Sequence, residues 1–78
     1  MIRDLVLNDP VAHERWALVV DRVLKPSDAI QVKKIMDIKF AEAVLQSLQI
    51  WNSYGREHAD LIPVLRQYGL NGLAGEFS

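Results

Sequence analysis

The side chains most able to do chemistry in this chain are His13, His58, Glu57 and Asp60. A histidine can ligate a metal or act as a general base, and two neighbouring carboxylates can divide acid and base roles. The spacing supports neither. The histidines are far apart, no His-Glu-x-x-His pattern accompanies them, and the absence of cysteine removes any thiolate site. There is no Ser-His-Asp order and no glycine-rich phosphate loop. Acidic residues such as Glu57 and Asp60 ordinarily complement the dipole at a helix start, and a small helical bundle has little room for an enclosed active site. The residues therefore predict a protein that is not an enzyme and needs no cofactor or metal.

Two further groups admit a binding role. Lys33, Lys34 and Lys39 form the one basic concentration, with Asp28 and Asp37 close by. They suit a phosphate backbone, a solvated face or a protein-interaction patch. Nine basic against ten acidic residues give a net charge of −1, whereas nucleic-acid binders carry a marked basic excess. No nucleic-acid partner is expected. Trp16 and Trp51 can stack a ligand, but both fall on apolar helical stripes and read as core, with the Trp51 indole N–H expected to reach a backbone carbonyl.

The elements that must position these residues read as helices. At 78 residues, half of them hydrophobic, the chain makes one small domain with a single core. No apolar run approaches the roughly 18 residues that span a bilayer, so no membrane insertion is expected. The start has no basic stretch followed by an apolar block, the mark of a secretory signal. Freedom from cysteine fits a reducing compartment, and a cytoplasmic location is the expectation.

Ile2–Leu7 reads as one or two apolar helical turns. Asp9 is a natural cap and Pro10 suits the first helical position. Trp16, Val19, Val20, Val23 and Leu24 then repeat on one helical face, with Glu14, Asp21 and Arg22 opposite and Leu18 left among polar residues. Residues 10–24 read as one continuous helix. Pro26 ends this element. Ser27 is the expected cap of a third helix to Met36, with Ala29, Val32, Ile35 and Met36 inward, Gln31, Lys33 and Lys34 in water, and Ile30 nearer the polar side.

Residues 40–54 carry the strongest helical pattern. Phe40, Ala41, Val44, Leu45, Leu48, Trp51 and Tyr54 cover more than half the circumference, with Glu42, Gln46, Gln49 and Ser53 as a narrow polar stripe. A helix so apolar is expected at the centre of the fold. A fifth helix near 59–68 turns Leu61, Ile62, Leu65 and Tyr68 inward. Pro63 is tolerable there if Asp60 is the cap and the proline lies in the first turn. Gly69 supplies a left-handed stop, and Asn71 starts a last short helix anchored by Leu73 and Phe77.

These segments together resemble the death domain. The likeness begins at Trp16, which matches the tryptophan that opens the family's second helix in a W..LA..L pattern, here WALVVDRVL over residues 16–24. It continues in Ser27 and Asp28, and is closest in residues 47–51 (SLQIW), 61–66 (LIPVLR) and 73–77 (LAGEF). It covers roughly residues 16–77, most of the chain, and implies a break near His13 and Glu14 ahead of that second helix. It implies an all-α fold, a six-helix antiparallel Greek-key bundle. It implies a signalling adaptor or receptor module in apoptotic or innate immune pathways, binding other death-domain proteins as homo- or hetero-oligomers. Carried onto this chain, one face offers Glu42, Gln46 and Gln49, and the opposing face Arg22, Lys25, Lys33 and Lys34. Arg56 and Glu57 lie at the corner between the fourth and fifth helices, and Asp28, Asp37 and Lys39 surround the third. Leu18 and Ile30 add apolar contact. The alternative reading is a small helix-turn-helix DNA-binding domain, with residues 27–36 as its recognition helix after the turn at Lys25, Pro26 and Ser27.

Overall fold

Asp9 begins the first long helix by a direct electrostatic device. Its backbone is extended, and its carboxylate accepts from the N–H groups of Val11 at 2.9 Å and Ala12 at 3.3 Å. Pro10 then occupies the first turn, where its missing N–H leaves nothing unpaired. The structure, a computed structural model, describes residues 2–77. Across them run α1 (Ile2–Leu7), α2 (Pro10–Val23), α3 (Pro26–Met36), α4 (Phe40–Ser53), a 3-10 turn (His58–Leu61), α5 (Ile62–Gln67) and α6 (Asn71–Phe77). The fold is all-α, a bundle of six helices, and no strand occurs among the described residues.

Residues 10–23 form one continuous helix, without the break near His13 and Glu14 that the family likeness implies. Nothing at His13 or Glu14 breaks it, and His13 is held in place from outside. Its ring stacks on Phe40 with centroids 4.4 Å apart, and its Nε2 donates to the Leu7 carbonyl at 2.7 Å. His13 is thus a joint between α1, α2 and α4 rather than a freely solvated residue. His58 is also engaged, half-buried between Asn52 and the Phe77 ring.

Three sequence expectations fail by small, physically intelligible shifts. Ser27 does not cap α3; Lys25 holds the N-cap position, without a side-chain bond. Pro26 has a fixed helical φ and forces extended backbone on the residue before it, so the helix starts two residues early. Asp60 is not the N-cap of the fifth helix; Leu61 holds that position. Glu57 caps the 3-10 turn ahead of it, in a capping box in which Asp60 accepts the Glu57 N–H at 2.9 Å and the Glu57 carboxylate reciprocates. The helix opens as a 3-10 turn, and Pro63 falls within the first turn of α5 as its ring requires.

The third shift concerns α4. Its buried residues are Ala43, Val44, Ser47 and Leu48. Ala41 is exposed, Phe40, Leu45, Trp51 and Tyr54 are half-buried, and Gln46, expected in water, is half-buried. The helix is rolled toward Ser47 because Trp16 requires it. Trp16 is 1 % exposed, and its indole N–H donates to Ser47 Oγ at 3.0 Å. That hydroxyl in turn donates to the Val44 carbonyl at 2.7 Å. A buried indole N–H without a partner costs about 1–3 kcal/mol, enough to set the rotation of a helix whose apolar surface is wide.

The core runs from Val6 and Ala12 through Trp16, Val19 and Val20 to Val44, Leu65 and Leu73. Centrality is shared. Among the described residues α4 packs on α1, α2, α3 and the 3-10 turn, while α5 packs on α2 and α6 on α1. α2 and α4 point the same way, since His13 meets Phe40 near both starts and Val23 lies with Trp51 and Tyr54 near both ends. α3 lies antiparallel to α4, because Tyr54 at the end of α4 reaches Asp28 at the start of α3.

α5 ends as expected at Gly69, with φ of +79°. The Gly69 N–H bonds the Arg66 carbonyl at 3.1 Å and the Leu70 N–H bonds the Leu65 carbonyl at 2.8 Å, the two bonds of a Schellman stop. Arg15 completes it from α2 by donating to the Tyr68 carbonyl at 2.6 Å. A Cβ on Gly69 would stand 2.6 Å from the Arg15 guanidinium, which as the end of a flexible side chain can shift, so it is the left-handed backbone that calls for glycine.

Candidate protein-interaction surface

The most structured feature of the surface is the corner where α2, α3 and α4 meet. Tyr54 follows the last turn of α4, and its hydroxyl donates to the Asp28 carboxylate while accepting the Lys25 N–H at 3.1 Å. The Lys25 ammonium lies 5.1 Å from the centre of the Tyr54 ring, within cation–π range. Burial first, and then the hydrogen bond to Asp28, push the Tyr54 hydroxyl above its ordinary pKa of 10.0, against the opposing Lys25 N–H. Beside this bolt lies an open notch of about 460 Å³ lined by Val23, Lys25, Trp51, Ser53, Tyr54 and Arg56. Trp51 forms its wall, held by an indole N–H that donates to the Glu57 carbonyl at 2.8 Å. That bond is the backbone contact expected from the sequence.

The residues expected to bind partners divide into engaged and free sets. Lys33 was expected in water, yet it is half-buried and paired with Asp21 of α2 at 2.8 Å. The pair fastens α3 to α2, because α3 lies against α2 and brings the two side chains opposite one another. Asp28 is half-buried under Tyr54, and Glu57 caps the 3-10 turn. Arg22, Lys25, Lys34, Asp37, Lys39, Glu42, Gln49 and Arg56 are exposed, and Gln46 is half-buried. The fold brings Lys25, Asp28 and Arg56 into one corner. Lys34, Asp37, Lys39 and Glu42 gather toward the other end of the α3–α4 pair, where α3 finishes and α4 begins.

Lys34 also borders a shallow groove along α3 with Ser27, Ile30, Gln31 and Ile35. Leu18 and Ile30 are 49 % and 55 % exposed, in keeping with their positions among polar neighbours. Sequence reasoning missed three residues. Asp21 was assigned only to a polar face, Tyr54 only to the core, and Ile38 to no element. Ile38 is 82 % exposed, and its signal was an isoleucine between Asp37 and Lys39 in a connection too short to fold back over it.

The arrangement presents a closed apolar interior and a patterned exterior. Among the described residues no group of three or more histidines and carboxylates is placed to hold a metal ion, and no helix is long and apolar enough to cross a membrane. Comparison with known proteins gives no match to a family model, to a curated protein or to a solved structure.

Proposed function

We propose that this chain is a death-domain-like interaction module, a non-enzymatic adaptor or receptor element of apoptotic or innate immune signalling that binds other death-domain proteins in the cytoplasm. The observation that carries the reading is the split between inside and outside. The apolar positions of the motif close around Trp16, while charges of both signs and a few large apolar side chains stand free on the surface. Such a surface suits association between unlike faces, in which charge sets register and partner more than affinity. The helix count, Trp51 near the end of α4 and the segment of residues 61–77 support the family likeness, whereas Trp16, in the middle of a continuous α2 and not at a helix start, departs from it.

The test is binding to a panel of death-domain proteins at low and high salt, with the double variant Lys34→Glu, Lys39→Glu as comparison. Lys33 is left intact because reversing it would set two carboxylates together at Asp21. The chain is expected to bind at least one member, more weakly as salt rises, and the variant to lose about tenfold in affinity, the scale of a modest interface hot spot. Binding to none of the panel, or salt-sensitive retention on duplex DNA in its place, overturns the reading.

A further inference from the structure

Ile38 and the Trp51 notch stand at opposite ends of one antiparallel helix pair. At one end Tyr54 bolts α4 to the start of α3. At the other the N–H groups of Ile38 and Lys39 both return to the Ile35 carbonyl, at 2.9 and 2.7 Å, and this tight turn holds the Ile38 side chain out from the bundle. The eleven residues of α3 set the two ends about 16 Å apart.

The two ends are complementary. Ile38 is the most exposed large apolar residue of those described, at 82 %, and Asp37 beside it is exposed and in no ion pair among the described residues. The notch has Val23 and Trp51 as apolar lining and Lys25 and Arg56 at its rim. Its nearby carboxylates are spent elsewhere, Asp28 on Tyr54 and Glu57 on the 3-10 turn. Neither rim cation pairs with a carboxylate among the described residues.

We propose that Ile38 of one copy seats in the Trp51 notch of a second copy, with Asp37 set against Lys25 and Arg56. The proposal rests on the interaction-module reading and adds to it a specific self-contact. Burial of Ile38 against the indole supplies the attraction, and the charges fix the register. Because knob and notch lie on different surfaces, the contact is heterologous. Each added copy leaves one knob and one notch open, so assembly grows in a line or helix instead of closing as a symmetric dimer.

The test uses the whole chain and two variants at exposed side chains that make no hydrogen bond or ion pair among the described residues. Ile38→Asp removes the knob and keeps the notch; Arg56→Glu spoils the notch and keeps the knob. Circular dichroism establishes that both fold. By light scattering over a concentration series the wild type is expected to grow in mass, and each variant alone to self-associate at least about tenfold more weakly, as loss of a central anchor demands. An equimolar mixture is expected to form one-to-one dimers and nothing larger, with a blue shift in tryptophan emission as Trp51 is covered. Growth of either variant equal to wild type, or a mixture that stays monomeric, overturns the contact. A wild type that binds another death-domain protein but never itself overturns the contact alone, whereas binding to no panel member overturns the broader reading.

Discussion

The two tryptophans occupy opposite kinds of place in this molecule. Trp16 lies at the centre of the bundle, 1 % exposed, and its N–H goes to a side chain, Ser47, on another helix. Trp51 is half-buried at a corner, and its N–H goes to a backbone carbonyl in the loop just beyond its own helix. At Trp16 the indole N–H and the Ser47 hydroxyl are both satisfied inside the core, and the geometry dictates how α4 is rolled. Around Trp51 the polar groups tie three chain segments together yet leave one apolar wall open to the outside. The same residue type thus serves cohesion in one region and presentation in the other, and the difference lies in whether its neighbours complete the enclosure.

The comparison can be broken most severely at the centre. Trp16→Ala is expected to cost about 3–5 kcal/mol, the scale of emptying a large aromatic from a packed core. In a domain of this size that is a large share of the total, so the thermal transition should broaden or vanish. Trp51→Ala should cost clearly less, because part of its surface stays in water in the folded chain. Equal losses in the two variants, measured by urea titration, would erase the distinction between the regions.

A finer cut removes only the partner of the central indole. Ser47→Ala leaves the Trp16 N–H buried and unpaired, with an expected loss of about 1–3 kcal/mol. A change near zero in the urea midpoint would mean that the indole finds another acceptor. The smallest effect belongs to the corner. Tyr54→Phe deletes the bonds to Asp28 and Lys25 and is expected to cost about 0.5–1.5 kcal/mol.

That variant also carries a pH signature. The folded Tyr54 hydroxyl keeps its proton above the unfolded value of 10.0, so its contribution is whole below pH 10.0. It is lost as pH rises through the folded value, because the unfolded chain releases the proton more readily. Wild type should therefore lose stability relative to Tyr54→Phe on the alkaline side of pH 10.0 in paired denaturation curves, and curves that stay parallel would remove the corner bolt from the account.

Much of the fold was legible in local patterns, because its signals are local. Asp9 with Pro10, Pro26, Gly69 and the apolar spacing of Trp16, Val19 and Val20 each act within a turn or two of chain. They place the six helices to within a residue or two. The misreadings are equally instructive. Ser27, Asp60 and the roll of α4 went astray where two plausible local solutions competed, and a contact from elsewhere in the sequence or a neighbouring proline chose between them.

The candidate surface was legible only in part. Most of the charges expected outside are exposed, Lys33 and Asp28 being half-buried, and no pattern in the chain distinguishes Lys34, in no ion pair among the described residues, from Lys33, which is tied to Asp21 on a different helix. Periodicity alone determined that this protein would bury its apolar stripes in a helical bundle, since 3.6-residue spacing is a property of neighbours along the chain. Which cations remain unpaired, which tryptophan stays open and where Ile38 stands were decided by tertiary packing. Those depend on groups many residues apart meeting in space, and only the folded arrangement brings them together.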